Sequence, residues 1–300
     1  MNSVRSSNIG FIGAGIVGTT LAMNLYQKGI VVRAVASQSY SSAECLASLV
    51  PNCQAFANPQ HVANTCNLVF LTVPDDAINS VASSVTWHQH QSVVHCSGAK
   101  PLDVLEPARA QGAQVGGFHP LQTFGTLERG SVNLDGTSFA LEGEAPLLED
   151  LKLLAQSLGG EHFEIPASGR ALYHASAVMV CSYIVTLADS ASKLWNGFGF
   201  DSLTALDALI PLMEGTLQSL KNNGIPQSLT GPLVRGDVET IRLHLETLWR
   251  QEPHLLPLYC AMGLATLELV QVKVDLNQAT LKQLETLLAK YASGARSISM

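Results

Sequence analysis

Three glycines near the start of the chain, Gly13, Gly15 and Gly18, most constrain what it can fold into. They follow an apolar run over residues 9–12 that predicts a buried strand, and apolar residues at helical spacing come after them. This order of strand, turn and helix is the context in which the GxGxxG pattern binds a dinucleotide. The sequence therefore predicts a phosphate-binding turn over residues 13–18, in preference to a glycine-rich turn without a ligand.

Each glycine of this turn has its own physical role. Gly13 permits a tight turn, Gly15 has no Cβ to keep a pyrophosphate off the backbone, and Gly18 lets the helix approach the strand closely. The helix that follows offers free N–H groups and the positive end of its dipole to phosphate. We therefore expect the cofactor to contact this whole segment, namely Gly13, Ala14, Gly15, Ile16, Val17 and Gly18.

Composition limits the partners that the chain is expected to have. Hydrophobic residues make up 47% of its 300 residues and charged residues 14%, which is typical of a globular chain with a large core. The formal net charge of −7 argues against a nucleic-acid or anionic-membrane partner. The six cysteines contain no CxxC pair and no cluster at zinc spacing, so we expect neither a disulfide framework nor a metal site.

Strand and helix patterns alternate up to Pro166, and only helical patterns follow. The alternation predicts an α/β fold with a Rossmann-type, mainly parallel sheet in residues 1–166. Residues 167–300 are expected to form an all-helical C-terminal domain that carries substrate-binding and dimerisation functions. Its helices are predicted at about 169–197, 202–222, 237–250, 254–272 and 278–292.

One predicted helical segment, residues 171–188, contains no Asp, Glu, Lys or Arg and is about as long as the shortest membrane span. Several of its residues are polar, however, and its pattern continues into Asp189 and Lys193. We therefore expect a helix buried inside the protein, no membrane association and a location in the cytoplasm.

The end of the second predicted strand indicates which dinucleotide is bound. NAD-binding proteins place an Asp or Glu there to accept from the ribose 2′-OH. This chain has Ser37, Gln38 and Ser39 instead, and no acid before Glu44. Hydroxyl and amide groups leave room for a 2′-phosphate, so the sequence predicts NADP, with NAD as the alternative. The serines could instead cap the next helix.

Polar residues also follow the fourth and fifth predicted strands. Val73 and Pro74 allow the backbone to approach the ribose or nicotinamide, and Asp75 is expected to cap a helix over residues 76–84. Ser97 stops the fifth strand, at the edge where the nicotinamide is expected. Its hydroxyl could bond to a substrate oxygen or the carboxamide, or it could be a simple turn serine.

Two histidines and one arginine are candidates for the chemistry itself. His119 ends a strand and is held extended by the proline after it, so it can donate a proton or orient a carbonyl. His174 opens the long C-terminal helix and is the second candidate proton donor. Arg235 lies in a polar island between helices, where a guanidinium could bind a substrate carboxylate bidentately. Asp237, close by, is expected to be an N-cap.

Taken together, these motifs resemble the Rossmann-like oxidoreductase family with a C-terminal helical domain of unknown function. The resemblance rests on the glycine turn and on the sequences LTVPD, HCSGA, GFHPLQTF, YHASA and TGPLVRGD, which begin at residues 71, 95, 117, 173 and 230. It implies kinship with the 6-phosphogluconate-dehydrogenase-like group, which includes pyrroline-5-carboxylate reductase and ketopantoate reductase. In that group the helical domain commonly makes a homodimer.

The resemblance implies an NADP-dependent reductase of a small 2-oxo acid such as ketopantoate. An imine reductase similar to pyrroline-5-carboxylate reductase, or an NADP-binding sensor without turnover, are the alternatives. The β-hydroxyacid dehydrogenases of the wider group use a lysine early in the long helix, where this chain offers His174. The expected catalytic residues are therefore His174 or His119 as proton donor, Ser97 on the substrate oxygen and Arg235 on a carboxylate.

Overall fold

A computed structural model describes residues 7–125 and 132–294 of the chain. The strands are β1 (Ile9–Ile12), β2 (Val32–Ala36), β3 (Gln54–Phe56), β4 (Leu68–Leu71), β5 (Ser92–His95), β6 (Gln114–Leu121), β7 (Ser138–Gly143) and β8 (Glu161–Glu164). The helices among them are α1 (Ile16–Gln27), α2 (Tyr40–Leu49), α3 (Pro59–Thr65), α4 (Ile78–Ser84), α5 (Glu106–Arg109) and α6 (Leu147–Ser157). After β8 come α7 (Arg170–Val180), α8 (Ser182–Leu194), α9 (Ser202–Asn223), α10 (Val238–Gln251), α11 (Leu256–Lys273) and α12 (Gln278–Gly294).

The eight strands form one sheet in the order β3-β2-β1-β4-β5-β6-β7-β8. Neighbouring strands are parallel except β6 and β7, which pair antiparallel with Gly116 opposite Gly143 and Leu121 opposite Ser138. The mainly parallel sheet is thus confirmed. The chain leaves β1 towards β2 on one side and returns to β4 on the other. The carboxyl end of β1 is therefore the topological switch point, where ligands of such sheets bind.

Helices cover both faces of the sheet because both faces of its strands are apolar. One buried cluster joins the sheet to α1, α2 and α6, and another joins it to α3, α4 and α5. An aromatic row crosses the first face. Phe11 stacks on Phe70 with ring centroids 5.3 Å apart, Phe70 meets the edge of Phe118 at 5.7 Å, and Phe118 lies 4.7 Å from Phe139. These contacts fix the relative positions of β1, β4, β6 and β7.

The structure differs from the sequence-based expectation at three helices. Helix α3 was not predicted; Pro59 opens it and Asn58 caps it, but seven residues are too few to show a clear period. Helix α4 starts at Ile78 rather than residue 76, and its N-cap is Ala77, so the expected cap by Asp75 is wrong. The long helix expected over 169–197 is two helices, one ending at Val180 and one beginning at Ser182, with Cys181 between them at φ −106° and ψ −75°.

The chain divides into two compact units, Met1–Cys181 and Ser182–Met300. The first unit therefore includes α7, beyond the domain boundary expected at residue 166. In the second unit, α10, α11 and α12 bury a leucine-rich cluster that includes Leu245, Leu256, Leu284 and Leu288. Helices α8 and α9 pack on each other, and each has a single fully buried residue, Ser192 and Ala205 respectively.

In a single copy of the chain, residues 171–188 do not form the buried helix that was expected. By length and composition, Ala167–Phe198 and Pro253–Lys273 could each cross a membrane. The most apolar stretch of Ala167–Phe198 is not buried. Apolar composition alone does not bury a helix, because burial needs a partner surface. Such a segment is weak support for a membrane span, since core helices of soluble proteins have the same composition.

A buried guanidinium attaches α7 to the sheet. The side chain of Arg170, which is only 1% exposed, donates through Nε to the Glu142 carboxylate on β7. Its Nη1 donates to the backbone oxygen of Ser97, directly after β5, at 3.0 Å. Gly117 on β6 leaves the space that the guanidinium occupies, because a Cβ there would collide with Nη2. Three strands thus determine where the first turn of α7 lies.

We expect Glu142→Gln to lower the free energy of unfolding by about 3 kcal/mol, because it leaves the buried Arg170 charge without a counter-charge. The double variant Arg170→Met/Glu142→Leu should recover much of this loss, since it removes both charges at similar volume. Urea denaturation measures both. Lys28→Met, which breaks an exposed ion pair with Asp135, is the control and should have a much smaller effect. An effect of Glu142→Gln no larger than the control would contradict the assignment.

Candidate functional site

The glycine turn lies at the switch point of the sheet and has the geometry that its sequence predicts. Gly13 has φ +112°, and a Cβ there would lie 2.5 Å from the backbone oxygen of Thr72. The Thr72 hydroxyl donates to the Gly13 oxygen at 2.7 Å, and a Cβ on Gly18 would lie 2.5 Å from that hydroxyl. Both glycines are therefore required by close packing between the turn and the segment after β4.

Gly15 has a different environment, and it is the one that a ligand needs. It is exposed, and a Cβ built on it would meet no atom within 4 Å. It is the N-cap of α1, and no side chain caps this helix or places an acid in its first turn. The first N–H groups of α1 are therefore available to an anion, and the open space above Gly15 fits a dinucleotide pyrophosphate.

The segment after β2 remains free for the far end of a dinucleotide. Ser37 is half-buried, and Gln38 and Ser39 are exposed. Ser39 is the N-cap of α2, but its hydroxyl lies 2.8 Å from the Ser41 hydroxyl and makes no cap hydrogen bond. Arg33 on β2 does not contact this segment, because its Nε donates to Oδ1 of Asn8 at the opposite edge of the sheet. Hydroxyl and amide groups thus line this position without a carboxylate.

A hydrogen bond connects the segments that follow β4 and β5. Val73 and Pro74 come directly after Thr72, next to the glycine turn. The Ser97 hydroxyl donates to the Asp75 carboxylate at 2.7 Å and accepts from the N–H groups of Ala99 and Lys100 at 3.2 and 3.0 Å. Its hydrogen-bonding capacity is then filled by the protein. This arrangement favours the turn role of Ser97 over the expected bond to a substrate oxygen.

His119 and His174 meet over Gly98, beside Ser97. A Cβ on Gly98 would lie 2.8 Å from Nε2 of His119 and 3.0 Å from Cδ2 of His174. Nδ1 of His119 lies 2.6 Å from the hydroxyl of Tyr173, and the two rings meet edge to face at 5.5 Å. Strand β6 supplies His119, and the N-terminal part of α7 supplies Tyr173 and His174. The structure thus brings together the predicted residues Ser97, His119 and His174.

Burial keeps the main titratable groups of this cluster neutral. Burial, together with the charges of His174 and Arg170 and against that of Asp75, lowers the pKa of His119 to about 4. Burial, aided by Arg170 and His119, lowers the pKa of His95 to about 3. Burial raises the pKa of Tyr173 to about 12, although Arg170 acts in the opposite direction. At neutral pH, His119 is therefore an uncharged imidazole beside an uncharged phenol.

Arg235 belongs to the second unit and lies in the turn before α10. Its side chain is exposed, and within residues 7–125 and 132–294 its guanidinium makes no hydrogen bond or ion pair. Asp237 accepts from the N–H and the hydroxyl of Thr240 at 3.1 and 2.7 Å, so its predicted role as an N-cap is confirmed. The charge of Arg235 is among the groups that lower the pKa of Asp237, and its exposed guanidinium is accessible to an anion.

The sequence interpretation missed the partners that position the histidines. It gave Tyr173 and Arg170 no role, because their contacts with His119 and Glu142 join residues far apart in the chain. Gly98 received no role, although a side chain there would displace both imidazoles. The sequence YHASA places Tyr173 next to His174 and was the one available signal. Contacts between distant segments cannot be read from local spacing.

Two family models match the chain. Residues 2–120 match a Rossmann-like domain, and residues 137–266 match a domain of unknown function, DUF2520. No curated protein matches the sequence significantly.

Solved structures share the architecture over almost the whole chain. A candidate NADP oxidoreductase from Bacteroides fragilis is 22% identical with a TM-score of 0.68, covering 97% of this chain and 100% of its own. A protein from Thermotoga maritima is 25% identical with a TM-score of 0.64, covering 96% and 99%. Plasmodium falciparum pyrroline carboxylate reductase, solved with NADP bound, is 14% identical with a TM-score of 0.58, covering 98% and 100%.

The fold, the glycine turn and the two matches agree with the resemblance seen in the motifs. The chain combines a Rossmann-like domain with a C-terminal DUF2520 domain.

Proposed function

We propose that this protein is an NADP-dependent oxidoreductase that reduces a small carbonyl compound, with a 2-oxo acid such as ketopantoate as the first candidate. The observation that carries the proposal is the pair of imidazoles over Gly98, at the same edge of the sheet as the open glycine turn. The glycine turn is joined to the segment after β4 by the hydrogen bond from Thr72 to Gly13. That segment is joined to the one beside the imidazoles by the hydrogen bond from Ser97 to Asp75. A reductase needs a dinucleotide and a proton donor close together.

The residues of the first unit have distinct parts in this chemistry. The first turn of α1 would bind the pyrophosphate, and Val73 and Pro74 would lie along the ribose and nicotinamide. A bound reduced nicotinamide supplies the hydride. His119 is neutral, so its Nε2 can carry a hydrogen and donate it to the substrate oxygen, and His174 is the second candidate for this donation. Holding these groups in a reactive orientation also contributes to the rate.

The preference for NADP is proposed from the segment after β2. Ser37, Gln38 and Ser39 offer donors to a 2′-phosphate and no carboxylate that would repel it. The candidate oxidoreductase and the pyrroline carboxylate reductase that share this fold are both described with NADP. Their likeness to this chain is one of fold, so the preference has to be measured.

We expect Ser37→Ala/Ser39→Ala to raise the dissociation constant of NADPH about tenfold and that of NADH much less, because hydrogen bonds to a phosphate are charge-assisted. Fluorescence titration of both cofactors measures this difference. Ser48→Ala, on the same helix α2 but bonded to the backbone of Cys45, is the control. Equal effects on the two cofactors would remove the argument for NADP.

Two further functions have support of their own. The exposed Asp75 carboxylate beside Ser97 and His119 suits a cationic imine, and a pyrroline carboxylate reductase shares the fold. The alternative function is therefore an imine reductase. The filled hydrogen bonds of Ser97 instead suit an NADP-binding sensor that needs no direct substrate contact. For either reductase, we propose Arg235 as the ligand of a substrate carboxylate.

A panel of 2-oxo acids, including ketopantoate, and cyclic imines with NADPH separates these functions through the loss of NADPH absorbance. We expect turnover of a carboxylate-bearing substrate, and Arg235→Gln should raise its KM at least about tenfold, because a bidentate charged contact is lost. Arg242→Gln, which breaks an exposed ion pair with Glu239, is the control and should leave KM unchanged. NADPH binding without turnover of any substrate would favour the sensor.

We also propose that the protein is a cytoplasmic homodimer that associates through α8 and α9. These helices expose large apolar side chains that their own unit leaves uncovered: Tyr183, Val185, Leu187, Leu203, Ile210, Leu212, Leu217 and Leu220. Val185 and Leu212 are 68% and 67% exposed. A membrane is the poorer partner, because the exposed ion pair of Asp189 and Lys193 would be costly in hydrocarbon. A second copy offers the same apolar surface in return.

Light scattering after gel filtration, in buffer without detergent, should give the mass of a dimer. Val185→Glu/Leu212→Glu should give a folded monomer, because each charge would be buried without a partner in the interface. Leu243→Glu on α10, which is also exposed, is the control and should remain dimeric. A monomeric wild-type protein, or one that co-sediments with lipid vesicles, would contradict the proposal.

A further inference from the structure

We propose that Tyr173 supplies, through His119, the proton that completes the reduction. The proposal rests on the reductase function above and adds a residue and a route to it. Tyr173 acts through the imidazole of His119, which lies between the phenol and Gly98. We infer this from the geometry of the two side chains, from their burial and from the charges around them.

The contacts of the two rings define the route. The Tyr173 hydroxyl lies 2.6 Å from Nδ1 of His119, and the opposite ring nitrogen, Nε2, faces Gly98. Phe163 on β8 packs edge to face on Tyr173 with centroids 5.8 Å apart, which helps to hold the phenol in place. The imidazole of His119 thus lies between the phenol and Gly98, where the absence of a Cβ leaves room for the two histidine rings. The two nitrogens of this ring are the ends of a proton path.

The protonation states give the path a direction. Burial lowers the pKa of His119 and raises that of Tyr173, so both are uncharged at neutral pH. An uncharged imidazole has one N–H and one acceptor nitrogen. When the phenol donates to Nδ1, the hydrogen of His119 is on Nε2 and points towards Gly98. The hydrogen bond from Tyr173 therefore selects the tautomer that can donate to a substrate.

The groups that face His119 come from several elements. His95 approaches from β5, Asp75 from the segment after β4, and Arg170 and His174 from α7. Arg170 disfavours protonation of His119 and stabilises a negative charge on the Tyr173 oxygen, whereas Asp75 favours protonation of His119. Glu142 partly balances Arg170. The fixed positive charge thus favours a route that leaves a phenolate over one that leaves an imidazolium.

The transfer balances in atoms and charge. A bound reduced nicotinamide would supply a hydride to the carbonyl carbon, which leaves the substrate oxygen as an alkoxide that needs a proton. The Nε2–H bond of His119 breaks as the O–H bond of the product forms, and the O–H bond of Tyr173 breaks as Nδ1–H forms. His119 ends as the other neutral tautomer, Tyr173 ends as a phenolate beside Arg170, and water later restores its proton. A phenol is a stronger acid than an alcohol, so the transfer runs towards the product.

Nitrogen-15 NMR of the histidine rings tests the arrangement without any substrate. His119→Gln identifies the His119 signals by their disappearance. At neutral pH we expect His119 in the Nε2–H tautomer. Tyr173→Phe should weaken this preference. It should also raise the pKa of His119 by up to about 1, because the neutral ring loses a hydrogen-bond donor. Tyr26→Phe, on an exposed tyrosine of α1, is the control. A wild-type His119 in the Nδ1–H tautomer would overturn the proposal.

Kinetics with the best substrate of the panel test the transfer. Tyr173→Phe keeps the aromatic contacts and should lower kcat by about a hundredfold, with KM and the NADPH dissociation constant within about twofold, because a proton donor is lost and binding is not. An unchanged kcat would overturn the route and leave His174 as the donor. If no substrate is turned over, the reductase function fails, and the tautomer measurement still decides whether Tyr173 sets the state of His119.

Discussion

The buried guanidinium of Arg170 is the interaction on which the candidate site depends. It joins α7 to Glu142 on β7 and to the Ser97 oxygen after β5, and it occupies the space left by Gly117. Because Tyr173 and His174 are three and four residues further along the same helix, this attachment places both over the sheet edge. A charge buried to this degree is stable only with its partners, so its position is well determined.

The sheet provides the other half of the arrangement. Parallel strands bring the ends of β1, β4 and β5 to one edge, so the glycine turn, Asp75 and Ser97 become neighbours although they are far apart in sequence. Close packing at Gly13 and Gly18 is structural, whereas the open space at Gly15 has no structural use. The same pattern of three glycines thus contains two positions that serve the fold and one that suits a ligand.

Burial at this edge has a chemical consequence. It keeps His119 and Tyr173 uncharged at neutral pH, while Arg170 introduces a fixed positive charge nearby. Neutral donors beside a fixed cation suit a reaction in which negative charge develops on a substrate oxygen. The guanidinium therefore influences both members of the hydrogen-bonded pair, because Arg170 shifts the pKa of His119 and that of Tyr173.

The sequence by itself determined most of the local elements and predicted a dinucleotide as the ligand. The strand before Gly13, the helix after it and the change from alternating to helical pattern near residue 166 all depend on neighbours in the chain, and so does the N-cap at Asp237. Only the tertiary structure decided that Asp75 holds Ser97 rather than a helix end, that Cys181 splits the long helix, and that Tyr173 directs His119. These outcomes depend on contacts between distant segments and on burial. Contacts between distant segments and burial leave no repeating pattern in the sequence from which they could be predicted.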